Sequence, residues 1–564
     1  MEFLTDLYKC DDGWHTHYIE IENRIYSSNI NSIIKNKKIS IDTLKRNLFL
    51  LEDLYGQLDS LYTYAILRYE TNIRSNLFQY NIYKVSDLYN IIERKSEEFN
   101  NEIVKHKSEI LKILSTNKEL KYLKAYYNNY FKEDVRTSYE ELYSDINIKN
   151  YYNDILYSEE FIGEFKFKNA TYSITSNNFL EFLNSNSRSI RRLAYTSVVK
   201  HFSLKEKEAA FLVNLDYKIK NKNSTIKGYN DYFEEVVSNE IFKTTPNNFL
   251  KVSKEIKELF KQTLDIRRKL LGLDYISHYD MYYFGTTNSY ISFENAQSII
   301  KDALSIYGGN YLNLLNKIFE ENWIHFESSS NKKIGGRSYS SFNSHPYIII
   351  NWNNDIDSLY TLIHEVGGAI AQYLAQNSGS ILYAELSEMK VEFASVLNEL
   401  ILSDYLMNNE IEYISKEEAL FRILEFFKDD YFMPYEYMMV LNNLSNKSRH
   451  SILTSEVIEK EYETTIKEFR HFEYFEELSL NKKNWIKDHD QLDLEYNMNY
   501  IYAFILVSNF NLSNLSKVFD LYKQGERISD NQFINQIFDQ SLEFLELNEN
   551  SFLRITDFIQ KYNK

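Results

Sequence analysis

Cysteine occurs once in the 564 residues, at Cys10, which excludes an internal disulfide and any thiolate metal cluster and fits a reducing, cytoplasmic setting. Proline is almost as scarce: Pro246, Pro346 and Pro434 are the full set, and glycine totals 14. Such sparse turn punctuation argues against a β-rich fold and for long helices joined by short polar turns. Long apolar runs are missing as well. The stretch from Tyr502 to Val507 is among the longest and falls far short of the ~18 residues that cross a bilayer, so no membrane insertion is expected. The opening MEFLTDLYKCDDGW has early acids and no apolar core, unlike a secretory signal. Positive charge is in deficit, with 64 Lys and Arg against 81 Asp and Glu and a net charge of −17. Without a basic stripe, that balance disfavours a nucleic-acid partner.

What the chain has in quantity is helix-forming periodicity. From Asp42 to about Lys132, apolar residues such as Leu48, Leu51, Leu54, Tyr55 and Leu58 recur at steps of three and four, predicting long amphipathic helices. The 48 Tyr and 37 Phe follow the bias of an AT-rich coding sequence and say little about ligands. FIGEFKFKNATYSIT, within 147–178, alternates and predicts one short hairpin or a turn-linked extended segment. RSIRRLAYTSVVKHF then restarts helical periodicity, so the chain divides into an N-terminal helical region, 1–180, and a larger region, 181–564. A second extended segment, PYIIINWN, spans Pro346 to Asn353. After it, Asp355 or Asp357 is placed to cap a helix that Asn377 and Gly379 end, followed by another helix from about Leu382 to Leu406.

The first of these two helices carries His364 and Glu365. Two His–acid neighbours occur in the chain, His364–Glu365 and His489–Asp490, which is the number chance gives, so the pair alone reads as an ordinary half-buried helix position. Its surroundings change that reading. Leu359, Ile363, Val366, Ile370, Tyr373 and Leu374 form one face, while Tyr360, His364, Gly367, Gly368 and Ala371 form a neighbouring face of mostly small residues. Two adjacent glycines inside a helix cost about 1 kcal/mol each relative to Ala, so something close by requires the space. On the following helix, Glu385, Glu388, Glu392 and Glu399 lie at helical steps. Glu392 shares a stripe with Met389 and Val396 and so calls for a cation or hydrogen-bond partners, whereas Glu385 and Glu388 fit a solvated face.

Taken in order, PYIIINWNNDIDSLYTLIHEVGGAIAQYLA followed by Glu392, Phe393, Ala394, Ser395, Asn398 and Glu399 resembles the oligoendopeptidase F branch of the thimet-oligopeptidase-like zinc peptidases. In that family a PYILLNW-like strand, a TLAHELGH helix and an EIAST-NE helix follow one another, with the third zinc ligand 28 residues after the first, as Glu392 follows His364. RSIRRLAYTSVV, IKGYNDYFEEVV, LGLDYISHYDMY, ENWIHFESSSNKKIGG and SILTSEVIEKEY also fall in family order. The resemblance implies a mainly α, two-lobed helical clamshell with a deep internal channel and a small β-sheet beside the active-site helix. It further implies one zinc ion held by His364 and Glu392, with Glu365 as the base that activates a bound water and Tyr500 and Tyr502 steadying the oxyanion. Tyr339, Tyr347 and Asn351 fall where substrate would lie, and the partners implied are short peptides, bound by a monomer.

Several positions depart from the family pattern. Gly368 stands where the second ligand His belongs, so the zinc site is left one donor short. The SGAYS loop reads GGRSYS here, bringing in Arg337; the RQTMFAEFE-like helix reads MPYEYMMVLNN and lacks its Arg; and His489 does not align with the family's C-terminal His. Gln372, His345 and His489 are the candidates to replace the lost donor, none at the i+4 position. Three readings follow: a weakened or inactive pseudoenzyme, an active zinc oligopeptidase with substituted coordination, and a peptide-binding protein that holds an extended chain on the exposed edge of the Pro346–Asn353 strand.

Overall fold

The computed structural model describes residues 2–562 except 36, 132–147, 149–151, 153–160, 176–177, 239–241, 284–288, 330, 334, 343, 471–481, 488–491 and 539–542. The fold is mainly α, with three small sheets among the described residues. Two compact units are each assembled from separated stretches of chain. The first comprises Met1–Asp134, Ile291–Leu402 and Asn511–Asp539; the second comprises Val135–Tyr290, Ser403–Phe510 and Gln540–Lys564.

The first unit begins with three helices, α1 (Asp11–Ser27), α2 (Ile41–Thr71) and α3 (Asn76–Lys105). Ser40 and Ser75 cap α2 and α3 by accepting hydrogen bonds from Thr43 N and Phe78 N. The predicted apolar stripe is the buried seam of α2: Leu48, Leu51, Leu54 and Leu58 are all buried, with Tyr55 half-buried. Trp14 of α1 donates to the Leu61 carbonyl at 2.9 Å and ties α1 across that seam. A three-stranded sheet follows, with β1 (Ile324–His325), β2 (Arg337–Ser340) and β3 (Pro346–Ile349) in the order β1–β3–β2. β3 runs parallel to β1 and antiparallel to β2, pairing Ser338 with Ile348 and Tyr339 with Tyr347. The strand expected from PYIIINWN is therefore central and buried on both faces. Its edges are both occupied, which removes the exposed edge expected for it; β2 is the sheet's edge strand on the antiparallel side.

Helix α4 (Ile356–Gln376) packs on this sheet. Asp355 is the cap, accepting from Ser358 N at 2.8 Å, and Asn377 ends the helix as expected. Helix α5 (Glu388–Asn408) starts six residues later than the sequence reading placed it. Ser380 and Ser387 account for the difference. Ser380 closes a separate short turn over Ile381–Tyr383, and the Ser387 carbonyl accepts the first bonds of α5 from Lys390 N and Val391 N.

The second unit contains the predicted hairpin, Phe161–Phe167 paired antiparallel with Ala170–Thr175 around Lys168 at φ 54°. Its helices include Arg188–Ser203, Glu206–Ile226, Pro246–Leu270, Met433–His450 and Leu494–Ser508. Asp280, fully buried, organises one polar centre: it accepts from Arg191 Nη2 at 2.7 Å, Arg188 Nη2 at 2.9 Å and Ser277 N at 2.9 Å. With Arg188 Nε and Arg191 Nε also donating, five N–H groups satisfy the carboxylate, as a buried charge requires.

Candidate active site

Helices α4 and α5 cross at a point set by glycine. A Cβ on Gly367 would lie 2.7 Å from the Ala394 carbonyl oxygen and 2.9 Å from Ser395 Cα. Backbone atoms cannot step aside, so only a residue without Cβ lets the helices meet this closely. The space that the paired glycines imply is thus partly that of the crossing itself.

One turn before the crossing, α4 presents His364 to α5. Glu392 and Glu399 are seven residues apart, two helical turns, and so share a face of α5. Each carboxylate takes one side of the imidazole. His364 Nδ1–H donates to Glu399 Oε1 at 2.6 Å, and His364 Nε2 stands 3.6 Å from Glu392 Oε2. Glu399 is buried, which fixes the ring, and Glu392 Oε2 is buried without a hydrogen-bond partner. Burial alone would lower the His364 pKa; the hydrogen bond and charge of Glu399, with the charges of Glu392 and Glu365, raise it well above the usual imidazole value. Burial pushes Glu392 up to about 7, against the pull of His364 and with further push from Glu365, Glu399 and Glu388.

Glu365 faces β2. Burial raises its pKa, while His364, the Ser338 hydroxyl that hydrogen-bonds it and the Arg337 guanidinium oppose the rise. A Cβ on Gly336 would stand 2.9 Å from Glu365 Cγ and Oε1, so the strand backbone lies directly against this side chain. Arg337 also reaches Glu70, with Nε 3.8 Å from Oε2.

Two donors on one tetrahedral zinc, each about 2.0–2.1 Å from it, stand about 3.3 Å apart. The 3.6 Å between His364 Nε2 and Glu392 Oε2 is close to that spacing, and with Nδ1–H bonded to Glu399, Nε2 is the nitrogen that would face a metal once its proton is lost. The third donor is lacking. Gly368 contributes none, and no group of three or more His, Cys, Asp or Glu that could hold a metal occurs among the described residues. The proposed substitutes are engaged elsewhere. Gln372 donates to the Ala384 carbonyl at 2.9 Å and accepts from Leu386 N; His345 stacks on Trp323 and contacts Asp6 and the Pro346 carbonyl. His489 lies outside the described residues. One imidazole and one carboxylate do not fit a tightly held resident zinc.

The remaining expected residues are spread over both units. Tyr339 is half-buried and donates to Glu70 Oε1 at 3.1 Å. Tyr347 is fully buried in the first unit's core with its hydroxyl bonded to Asp6 and Ser344, and half-buried Asn351 donates to the Lys333 carbonyl at 2.7 Å. Tyr500 and Tyr502 belong to the second unit. Tyr500 is half-buried beside Tyr496, at 4.9 Å between ring centroids, whereas Tyr502 is buried and stacked on Phe242 at 4.4 Å. Glu385 and Glu388 are exposed, in line with their expected solvated face. Glu399 orients His364, a role its spacing hinted at but did not specify. The proximity of Ser338 and Arg337 to Glu365 had no signal in the sequence beyond the altered GGRSYS loop.

The signature of peptidase family M3 matches residues 182–474, more than half of the chain and including α4, α5 and the sheet. The chain belongs to peptidase family M3. Among curated relatives of this M3 chain, an oligoendopeptidase F homolog of Borreliella burgdorferi is 25% identical over 462 residues, covering 76% of this chain and 77% of that protein. Oligopeptidase PepF of Bacillus subtilis is 25% identical over 457 residues, covering 76% of this chain and 66% of the relative. Solved structures share the fold across nearly the whole length. Oligoendopeptidase-F from Enterococcus faecium superposes with a TM-score of 0.71 at 14% identity, over 98% of both chains, and PZ peptidase A with 0.67 at 13%, over 97% of both. M3 peptidases are zinc metallopeptidases, which sharpens the disagreement at Gly368. No described helix is long and apolar enough to cross a membrane.

Proposed function

We propose that this M3 chain is a catalytically weakened or inactive oligoendopeptidase F homologue that binds short peptides. The single observation that carries the reading is Gly368: where the helix would offer a second imidazole to the pair formed by His364 and Glu392, it offers a hydrogen atom. Glu365, the residue matching the family's base, is engaged by Ser338 and flanked by Arg337, which further supports a site turned away from hydrolysis. An extended peptide would find backbone donors and acceptors along the edge of β2, close to Glu365. The single exposed Cys10 is compatible with a cytoplasmic, monomeric protein. The test is metal content by mass spectrometry together with cleavage of a fluorogenic peptide library. One tightly held zinc per chain with efficient, chelator-sensitive hydrolysis overturns the proposal.

A second reading, an active enzyme with substituted coordination, is favoured by one feature. Glu392 Oε2 is buried without a partner 3.6 Å from an imidazole nitrogen that Glu399 holds in place. Absence of any hydrolysis by the purified, zinc-supplemented protein eliminates it.

A further inference from the structure

The geometry around position 368 points to a second obstacle beside the missing ligand: we infer that Val391 closes the space a side chain at 368 would need, so that restoring histidine there does not by itself restore a zinc site. The inference rests on the reading of a metal-poor site given above and identifies what in this chain enforces it.

A Cβ on Gly368 would stand 3.1 Å from Val391 Cγ1, 3.1 Å from Ser395 Oγ and 3.6 Å from Ser338 Oγ. Carbon atoms in good contact lie about 3.5–4.0 Å apart, so the first two neighbours would have to yield before any ring atom is added. They differ in their ability to do so. Ser395 has one rotatable oxygen. Val391 is β-branched on a helix, where one χ1 rotamer dominates and both methyls are fixed. Retreat of α5 as a whole would open the buried seam of Ile363, Val366 and Phe393 at the close crossing that Gly367 permits, which is costly. A side chain built on residue 368 therefore meets a conformationally fixed methyl group at its first carbon.

The experiment uses the full chain and Zn2+ alone, measured by competition with a chromophoric chelator and by metal stoichiometry. Gly368→His is expected to bind zinc no more tightly than the unsubstituted chain, while Gly368→His with Val391→Ala gains one site about a hundredfold tighter or more, the scale of one added imidazole donor. Equal affinity in the single and double variants overturns the inference, as does a folded double variant without the site. Should the histidine variants not fold, Gly368→Ala is compared in the Val391 and Val391→Ala backgrounds by thermal unfolding. The inference requires that trimming Val391 make the alanine distinctly better tolerated, and additive effects refute it. Stoichiometric zinc and hydrolysis in the unsubstituted chain would instead sink the proposed function, leaving the role of Val391 to be decided by the variants.

Discussion

Gly367→Ala gives a direct measure of how the helices that frame the site are held together. In a solvent-exposed helix this change would stabilise by about 1 kcal/mol. Here the added carbon would lie 2.7 Å from the Ala394 carbonyl oxygen, 2.9 Å from its carbon and 2.9 Å from Ser395 Cα, all backbone atoms of α5. Relief requires the two helices to separate by several tenths of an ångström along a buried seam in which Ile363, Val366 and Phe393 are fully buried. Overpacking of that kind costs about 1–3 kcal/mol, and the upper end applies because nothing in the clash can rotate away. Subtracting the helical gain leaves a net loss of about 2 kcal/mol, or roughly 4–8 °C in Tm for a unit of ordinary domain size. The neighbouring Gly368→Ala meets only side-chain atoms, at 3.1 Å and beyond, so its gain and cost should cancel to within about 1 kcal/mol. Differential scanning fluorimetry of the two variants side by side is the assay. A Gly367→Ala protein as stable as the parent would refute the crossing geometry and with it the placement of α5 against α4.

Asp59 is held protonated to about pH 6 by burial, which outweighs its bonds from Phe342 N and Ser341 and is reinforced by Glu385. An unfolded Asp titrates near 3.8, so the stability this group contributes in full below that pH is lost as pH rises through 6, up to about 3 kcal/mol. Asp59→Asn should therefore gain on the parent between pH 4 and pH 7 in urea midpoints, and parallel pH profiles would rule this out. Asp280→Asn should cost about 3–5 kcal/mol by leaving Arg191 buried without its carboxylate; a loss under 1 kcal/mol in chemical denaturation would contradict the assigned network. His364→Ala should destabilise by about 2–4 kcal/mol at pH 7, because it leaves Glu392 and Glu399 buried without the group between them. An unchanged Tm would mean the cluster is not formed.

Much of the local structure was legible because it depends on residues near in sequence. Asp355 and Asn377 bracket α4, the α2 stripe marks its own buried face, and the 28-residue interval brings His364 to Glu392 across two helices. What stayed hidden depends on pairings far apart in the chain. PYIIINWN reads as a strand, yet only the positions of Ile324–His325 and Arg337–Ser340 make it central. Tyr347 and Asn351 look available in a one-dimensional motif, but Asp6 engages one and Lys333 the other. Composition cannot reveal compact units that each draw on three separated stretches. The paired glycines signalled a need for space without showing that Gly367 meets backbone and Gly368 meets side chains, a distinction that decides which of them a ligand could replace.

The presence of His364, Glu365 and Glu392 in family order is weaker testimony for hydrolysis than it first looks. An imidazole bonded to Glu399 at 2.6 Å and standing 3.6 Å from Glu392 forms an ion pair across α4 and α5 that needs no metal, although it leaves Glu392 Oε2 without a hydrogen-bond partner. Removing His364 leaves Glu392 and Glu399 without the cation they share, so packing alone penalises its loss. Glycine at 368 carries no such obligation. The nearest neighbours of its space are a Val391 methyl and the hydroxyls of Ser395 and Ser338, and a histidine there would serve little purpose except to hold an ion. The informative position in this site is therefore the one without a side chain: a matching His364 can be explained by its ion pair with Glu399 at the helix crossing, whereas the mismatch bears only on the metal.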